Sequence, residues 1–163
     1  MKKIMMVCSG NICRSPMAEA VLKDSLARRK IDIVTVLSAG LLALFFEPAV
    51  EQAVKVCQDE NLDISRHRSQ PLTPEMVLAA DMVLVMEKRH RSEILRSLPE
   101  AQDKVRLLGN FALNRKEPDA EIFDPYGPSY EAFRKCFEEI REAVYGLTDY
   151  LEGKMKSAKT KEG

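Results

Sequence analysis

The sequence lacks net charge: 25 lysines and arginines balance 25 aspartates and glutamates. That balance leaves no electrostatic footprint for nucleic acid or for an anionic membrane surface. Cysteine is sparse, with four in 163 residues. Such a density argues against a disulfide-stapled secreted domain and agrees with reduced thiols. The two histidines, His67 and His90, do not combine with the cysteines at zinc-ligand spacing. They read as structural or exposed, and no metal or other cofactor is expected. Long apolar runs are missing too. The most apolar stretch, Leu41 to Phe46, is far too short to cross a bilayer. The two lysines near the start precede only a brief apolar run, unlike a signal peptide, so a cytoplasmic protein is expected. There is no repeat, no low-complexity segment and no linker rich in glycine, serine and proline. The G-x4-G-K-[ST] pattern of an ATP-binding loop is absent.

What is present is a globular composition, 45% hydrophobic and 31% charged, of a length that fits one domain. The domain is expected over residues 1–153, with residues 154–163 as a flexible basic tail carrying four lysines and one glutamate. Strand and helix signals alternate. Lys3 to Val7 reads as a buried strand, and Ser15-Pro16 opens a helix, with serine as cap and proline in the first turn. Ile31 to Leu37 is rich in β-branched residues and reads as a second strand ended by Ser38-Ala39-Gly40. Helices are expected from Pro48, from Thr73-Pro74 and over Lys88 to Leu98. Met82 to Met86 and Lys104 to Leu108 supply two more strands. From Ser129 to about Leu151, Phe133, Phe137, Ile140, Val144 and Leu147 recur at the spacing of an amphipathic helix. Strands separated by helices predict a single-domain α/β fold. It has a four-stranded parallel sheet, helices on both faces and a loop after the first strand. Ligands in such folds bind beyond the carboxyl ends of the strands, where Cys8 stands.

The stretch from Cys8 to Pro16, CSGNICRSP, joins that strand to the first helix. A short loop curling ahead of a helix turns backbone N–H groups inward and cradles phosphate oxygens. Gly10 and Asn11 tolerate the left-handed backbone angles such a curl uses. Arg14 offers a planar fork that matches two phosphate oxygens. Cys8 lies at the floor, where a helix N-terminus and a nearby cation favour a thiolate. Ser15 can give the sulfur a hydrogen bond. Ser9, Ile12 and Cys13 complete the loop. A lone strand-end cysteine is ordinarily a buried, inert thiol; the loop and arginine around it reverse that reading.

Cys-x5-Arg-Ser at the end of an N-terminal strand resembles the signature of low-molecular-weight protein tyrosine phosphatases. Ser38-Ala39-Gly40, Arg66-His67-Arg68-Ser69, Asp81 to Met86, Val105 to Gly109 and Asp124-Pro125-Tyr126-Gly127 resemble later segments of that family. The likeness spans about residues 3–151. It implies a metal-independent phosphatase working through a phosphocysteine, with Cys8 as nucleophile, Arg14 as phosphate clamp and Asp124 as general acid and base. From the residues alone, Asp124 reads as a turn aspartate before proline, with Glu117, Asp119 and Glu121 as nearby carboxylates. The resemblance also implies a reversible Cys8–Cys13 disulfide, Cys13 being otherwise a small packing residue. Cys57 and Cys136 read as core or surface thiols on helix faces.

In family terms Ile12 is an aliphatic residue where tyrosine phosphatases carry one and protein-arginine phosphatases carry threonine. This favours phosphotyrosine, on a protein or a small aryl phosphate. The Asp-Pro-aromatic-Gly segment and the helix after it resemble the arginine-phosphatase branch, which stays as the alternative. Tyr126 is expected to form one wall of the cleft and Leu44 or Phe45 the other. Leu42 and Phe46 stand where many members carry small residues. The same rim also reads as an exposed apolar patch available for dimerisation. The implied partner is a phosphorylated protein, with a tyrosine kinase as a candidate companion and a monomer or weak dimer as the state. Thiol-dependent arsenate reductase shares the fold and loop, but residues 81–98 hold no cysteine for a relay. A silent phosphate-binding module is disfavoured by the intact Cys8, Arg14 and Asp124.

Overall fold

In the computed structural model, residues 2–114 and 117–161 are described, the last three as backbone. Four parallel strands form one sheet: β1 (Lys2–Cys8), β2 (Val34–Gly40), β3 (Met82–Val85) and β4 (Val105–Leu107), in the order β2-β1-β3-β4. Five α-helices cover it: α1 (Arg14–Arg28), α2 (Glu51–Asp59), α3 (Pro74–Ala79), α4 (Lys88–Ser97) and α5 (Tyr130–Lys161). The expected fold class is therefore the observed one.

Strand alternation divides the core into two. Ile4, Met6 and Cys8 of β1 face α1, α2 and α5, with Met17, Leu22, Ala53, Val56, Phe133 and Phe137 among the buried partners. Met5 and Val7 point to the other face, with Val77 of α3 and Ile94 of α4. Central strands buried on both faces need no polar alternation, which is why β1 and β3 read as continuous apolar runs.

Several boundaries differ from the sequence expectation. The second strand starts at Val34 and includes Ser38, Ala39 and Gly40, which pair with Met6, Val7 and Cys8. These residues look like a turn by composition, but β1 supplies ladder partners through its last residue. Helix α2 begins at Glu51, three residues after Pro48; the Val50 N–H is instead taken by the Ile12 carbonyl at 2.9 Å. Residues 154–161, expected as a frayed tail, continue α5 as helix. Lysine and alanine favour helix, and Lys156 and Glu152 form an i,i+4 pair at 3.0 Å.

The topology fixes where a site can lie. β2 sits on one side of β1, while β3 and β4 sit on the other. The chain thus leaves the carboxyl ends of β1 and β3 in opposite directions, and a crevice opens between them. Cys8 ends β1 and Glu87 follows β3.

Candidate active site

Helix α1 starts at Arg14 with Cys13 as its N-cap residue, and no side chain caps it. Its first turn holds no acidic residue. The N-terminal N–H groups and the positive end of the helix are therefore left for an anion. Ser15, expected as a cap, turns to the sulfur instead: its Oγ lies 3.1 Å from Cys8 Sγ. The Asn11 N–H donates to the same sulfur at 3.3 Å.

Asn11 is fully buried with φ at 54°. Asparagine is one of the few side-chain-bearing residues that tolerate this region. Gly10 shares the loop but does not adopt positive φ, so the left-handed turn rests on Asn11 alone. The amide is oriented unambiguously. Its Oδ1 accepts from the Gln70 backbone N–H at 3.0 Å, so its Nδ2 donates to Ser15 Oγ at 2.8 Å and Ser38 Oγ at 3.0 Å. With that donor on its oxygen, Ser15 has its own hydrogen free to point at Cys8 Sγ. The Asn11 carbonyl accepts from His67 Nε2 at 2.7 Å. Ser38 in turn donates to Glu19 Oε2 at 2.5 Å.

Gly40 lets β2 lie close behind the loop. A Cβ there would fall 2.6 Å from the Ser9 carbonyl oxygen and 2.9 Å from the Asn11 nitrogen.

Arg14 is 2% exposed. Its Nη1 donates to Glu87 Oε1 at 2.5 Å and to the Ile122 carbonyl at 3.0 Å. Its Nη2 lies 3.3 Å from Asp124 Oδ2. A buried guanidinium held by one carboxylate and one carbonyl keeps its fork fixed. The loop carrying Asp124 is pinned by Ile122 N–H to the Met86 carbonyl at 2.9 Å and by Phe123 N–H to Glu139 Oε2 at 3.1 Å. Asp124 Oδ1 accepts from the Tyr126 N–H at 3.2 Å. Of the nearby carboxylates, Glu121 takes the Lys88 N–H at 2.8 Å, and Glu117 and Asp119 are exposed. Asp124 is the one in this loop that reaches Arg14.

Burial pushes the Glu87 carboxyl up, but hydrogen bonds from Arg89 and Arg14 outweigh it and hold the group at about 2. Burial pushes the Cys13 thiol up to about 12, helped by Cys8 and Asp124 and opposed by Arg14. All four cysteines are free thiols, Cys57 and Cys136 buried in α2 and α5. Burial raises both of the latter pKa values as well.

A cleft of about 340 Å³ beside the loop is lined by Ile12, Cys13, Val50, Gln52, Tyr126 and Phe133, among others. Ile12 and Tyr126 thus line one cleft, Tyr126 being 90% exposed. Leu44 and Phe45 do not. Both are exposed and lie outside this lining, where Val50 and Gln52 stand instead. Residues 41–46 follow β2 rather than α1, and the Phe46 N–H and Leu44 carbonyl are tied to Ser69. Sequence reasoning passed over Glu87 and Gln70, and read His67 and His90 only as structural or exposed. Their roles depend on contacts 56 to 81 positions away, and no local pattern signals those.

Comparison with known proteins gives the family of the chain. The model of the low molecular weight phosphotyrosine protein phosphatase family matches residues 3–157. A probable low molecular weight protein-tyrosine-phosphatase, EpsP of Ralstonia nicotianae, is 41% identical over 143 residues, 88% of this chain and 91% of that protein. The tyrosine phosphatase Wzb from Escherichia coli K30, solved in complex with sulphate, superposes with a TM-score of 0.82. It has 35% identity and covers 92% of this chain and 98% of that one. The arginine phosphatase YwlE, solved as a Cys-to-Ser mutant with a phosphorylated active-site serine, superposes with a TM-score of 0.85. It has 32% identity and covers 92% of this chain and 95% of that one. The chain belongs to the low molecular weight phosphotyrosine protein phosphatase family.

Proposed function

We propose that this protein hydrolyses phosphotyrosine, on a protein or a small aryl phosphate, through a phosphocysteine formed on Cys8 without a metal ion. The carrying observation is the pairing of two hydrogen-bond donors on one sulfur with a fixed guanidinium and a carboxylate beside it. Ser15 and Asn11 hold Cys8 Sγ, and Arg14 meets Asp124 at 3.3 Å.

In the first step Sγ attacks phosphorus in line with the leaving oxygen. An S–P bond forms, the P–O bond breaks, and protonated Asp124 gives its proton to the departing aryl oxide. Arg14 and the α1 N-terminus stabilise charge on the equatorial oxygens. In the second step water attacks phosphorus while Asp124 takes its proton. The S–P bond breaks, phosphate leaves, and the sulfur returns as a thiolate that Ser15 steadies. Arg14 Nη2 lies 3.3 Å from Asp124 Oδ2, so the carboxylate stands beside the guanidinium that would hold the phosphoryl oxygens.

Phosphotyrosine is favoured by Ile12 and Tyr126 in one cleft, an apolar and an aromatic wall for a flat ring. Phosphoarginine is the second reading, supported by the likeness to an arginine phosphatase. An arsenate-reductase relay finds little support, because Cys57 and Cys136 are buried. The test is hydrolysis of para-nitrophenyl phosphate in chelator, with Cys8→Ser inactive and Asp124→Asn slowed roughly 10²–10⁴-fold on a poor leaving group. Phosphotyrosine and phosphoarginine peptides are compared in wild type and Ile12→Thr. A wild type that prefers phosphoarginine overturns the substrate assignment, and an active Cys8→Ser overturns the mechanism.

A further inference from the structure

Ser9 follows Cys8, and its hydroxyl is held by two side chains of α4. Arg89 Nη2 donates to Ser9 Oγ at 3.0 Å, and His90 Nε2 lies 2.9 Å from the same oxygen. The sense of the second bond follows from the other ring nitrogen. The Glu87 backbone N–H can only donate, and it meets His90 Nδ1 at 3.2 Å. A neutral imidazole that accepts at Nδ1 carries its hydrogen on Nε2. The ring is 1% exposed. Burial lowers its pKa to about 4, outweighing the opposite pull of Glu87, with Arg14 and Arg89 adding to the lowering. His90 is therefore neutral at pH 7 and donates to Ser9.

Ser9 Oγ thus accepts twice. Its own hydrogen is left over, and among the described residues no acceptor takes it. The surroundings indicate what it suits. Arg89 reaches Glu87 through Nε at 2.6 Å, and Glu87 reaches Arg14 at 2.5 Å. The Ser9 hydroxyl is one link in a chain of hydrogen bonds that ends on Arg14, one residue from the N-cap of α1. Arg14 and Arg89 share the Glu87 carboxylate, and the spare Ser9 hydrogen beside them suits a negative oxygen.

We propose that Ser9 is a substrate-binding residue whose hydroxyl donates to an anionic oxygen of the phosphoryl group above Cys8, with His90 as the positioning residue that aims it. This rests on the phosphatase reading and adds a side-chain donor to the backbone cradle.

The test uses the full chain and orthovanadate as a competitive inhibitor of para-nitrophenyl phosphate hydrolysis. Ser9→Ala raises the inhibition constant about tenfold, the loss of one charge-assisted hydrogen bond. Ser9→Thr, which keeps the hydroxyl, restores it to within about threefold. His90→Asn can still accept from the Glu87 N–H but is too short to reach Ser9. It weakens vanadate as Ser9→Ala does, and the double variant is no weaker than either single one. Melting curves exclude misfolding, and the Ser9 pair decides the question even where His90→Asn is unstable. Vanadate binding by Ser9→Ala within about twofold of wild type overturns the proposal. Losses that multiply in the double variant overturn the role of His90. A wild type that neither hydrolyses the ester nor binds vanadate sinks the phosphatase reading itself. A wild type that does both, with Ser9→Ala unaltered, sinks only this inference.

Discussion

Asn11 keeps a left-handed backbone while wholly buried, and its amide bonds to a backbone N–H and two serine hydroxyls. Alanine at this position loses those three bonds and meets a steric cost at φ 54° that asparagine largely escapes. Asn11→Ala is expected to destabilise the fold by about 3 kcal/mol in urea unfolding. It should also cut turnover at least tenfold, because Ser15 is no longer oriented toward Cys8. Full activity in Asn11→Ala would show that the Ser15 hydrogen finds the sulfur unaided. The sequence identified Asn11 as a residue suited to the turn, from its type and its place beside glycine. It did not show that Gly10 leaves the left-handed region unused, nor that Gln70 fixes the amide.

At the scale of the element, the N-terminus of α4 joins two arginines, a carboxylate and a buried histidine. Glu87 is the N-cap residue of this helix and clamps Arg14 and Arg89, while its backbone N–H donates to His90 Nδ1. Its folded pKa, about 2, lies below the ordinary 4.5, so its stabilisation is complete above pH 4.5 and fades as pH falls toward 2. His90 is depressed from 6.5 to about 4, so its contribution is complete above pH 6.5 and fades as pH falls toward 4. Acid should therefore weaken the protein in two stages, the histidine stage first. Glu87→Gln is expected to cost about 2 kcal/mol at pH 7, with the gap to wild type narrowing below pH 4.5. Urea unfolding between pH 7 and 3 measures this, and a constant gap would contradict it.

Helix α5 makes a different point. Gly146 sits inside it, where alanine is ordinarily better by about 1 kcal/mol. Here an added Cβ would fall 1.8 Å from the Phe111 carbonyl oxygen, because a short 3-10 turn (Leu108–Phe111) packs on the helix. Gly146→Ala is expected to destabilise by about 3 kcal/mol or more, the cost of overpacking. A higher melting temperature for that variant would refute the close approach.

For the molecule as a whole, the helix beyond residue 153 contributes little to the core. Lys154 and residues 156–158 are exposed, and Met155 is only partly buried. Removing residues 154–163 is expected to cost no more than about 1 kcal/mol and to leave turnover within about twofold of the full chain. A large loss of stability would extend the domain past 153. No described helix is long and apolar enough to cross a membrane.

The sequence by itself determined the layers: apolar runs fully buried on both faces give β1 and β3, and 3.6-residue spacing gives α1 and α5. It also determined the loop, since Cys8, Asn11, Arg14 and Ser15 lie within one strand-to-helix connection whose geometry is local. The tertiary structure decided which distant groups complete that loop. Glu87 and His90 reach it because β1 and β3 end side by side. His67 and Gln70 reach it because the segment between α2 and α3 is hydrogen-bonded along Gly40 at the end of β2. Asp124 reaches it because the Ile122 N–H is tied to the Met86 carbonyl beyond β3. Such neighbours share an edge of the sheet without sharing a sequence pattern, so hydrogen bonds spanning 56 or more positions become visible only when the sheet is formed.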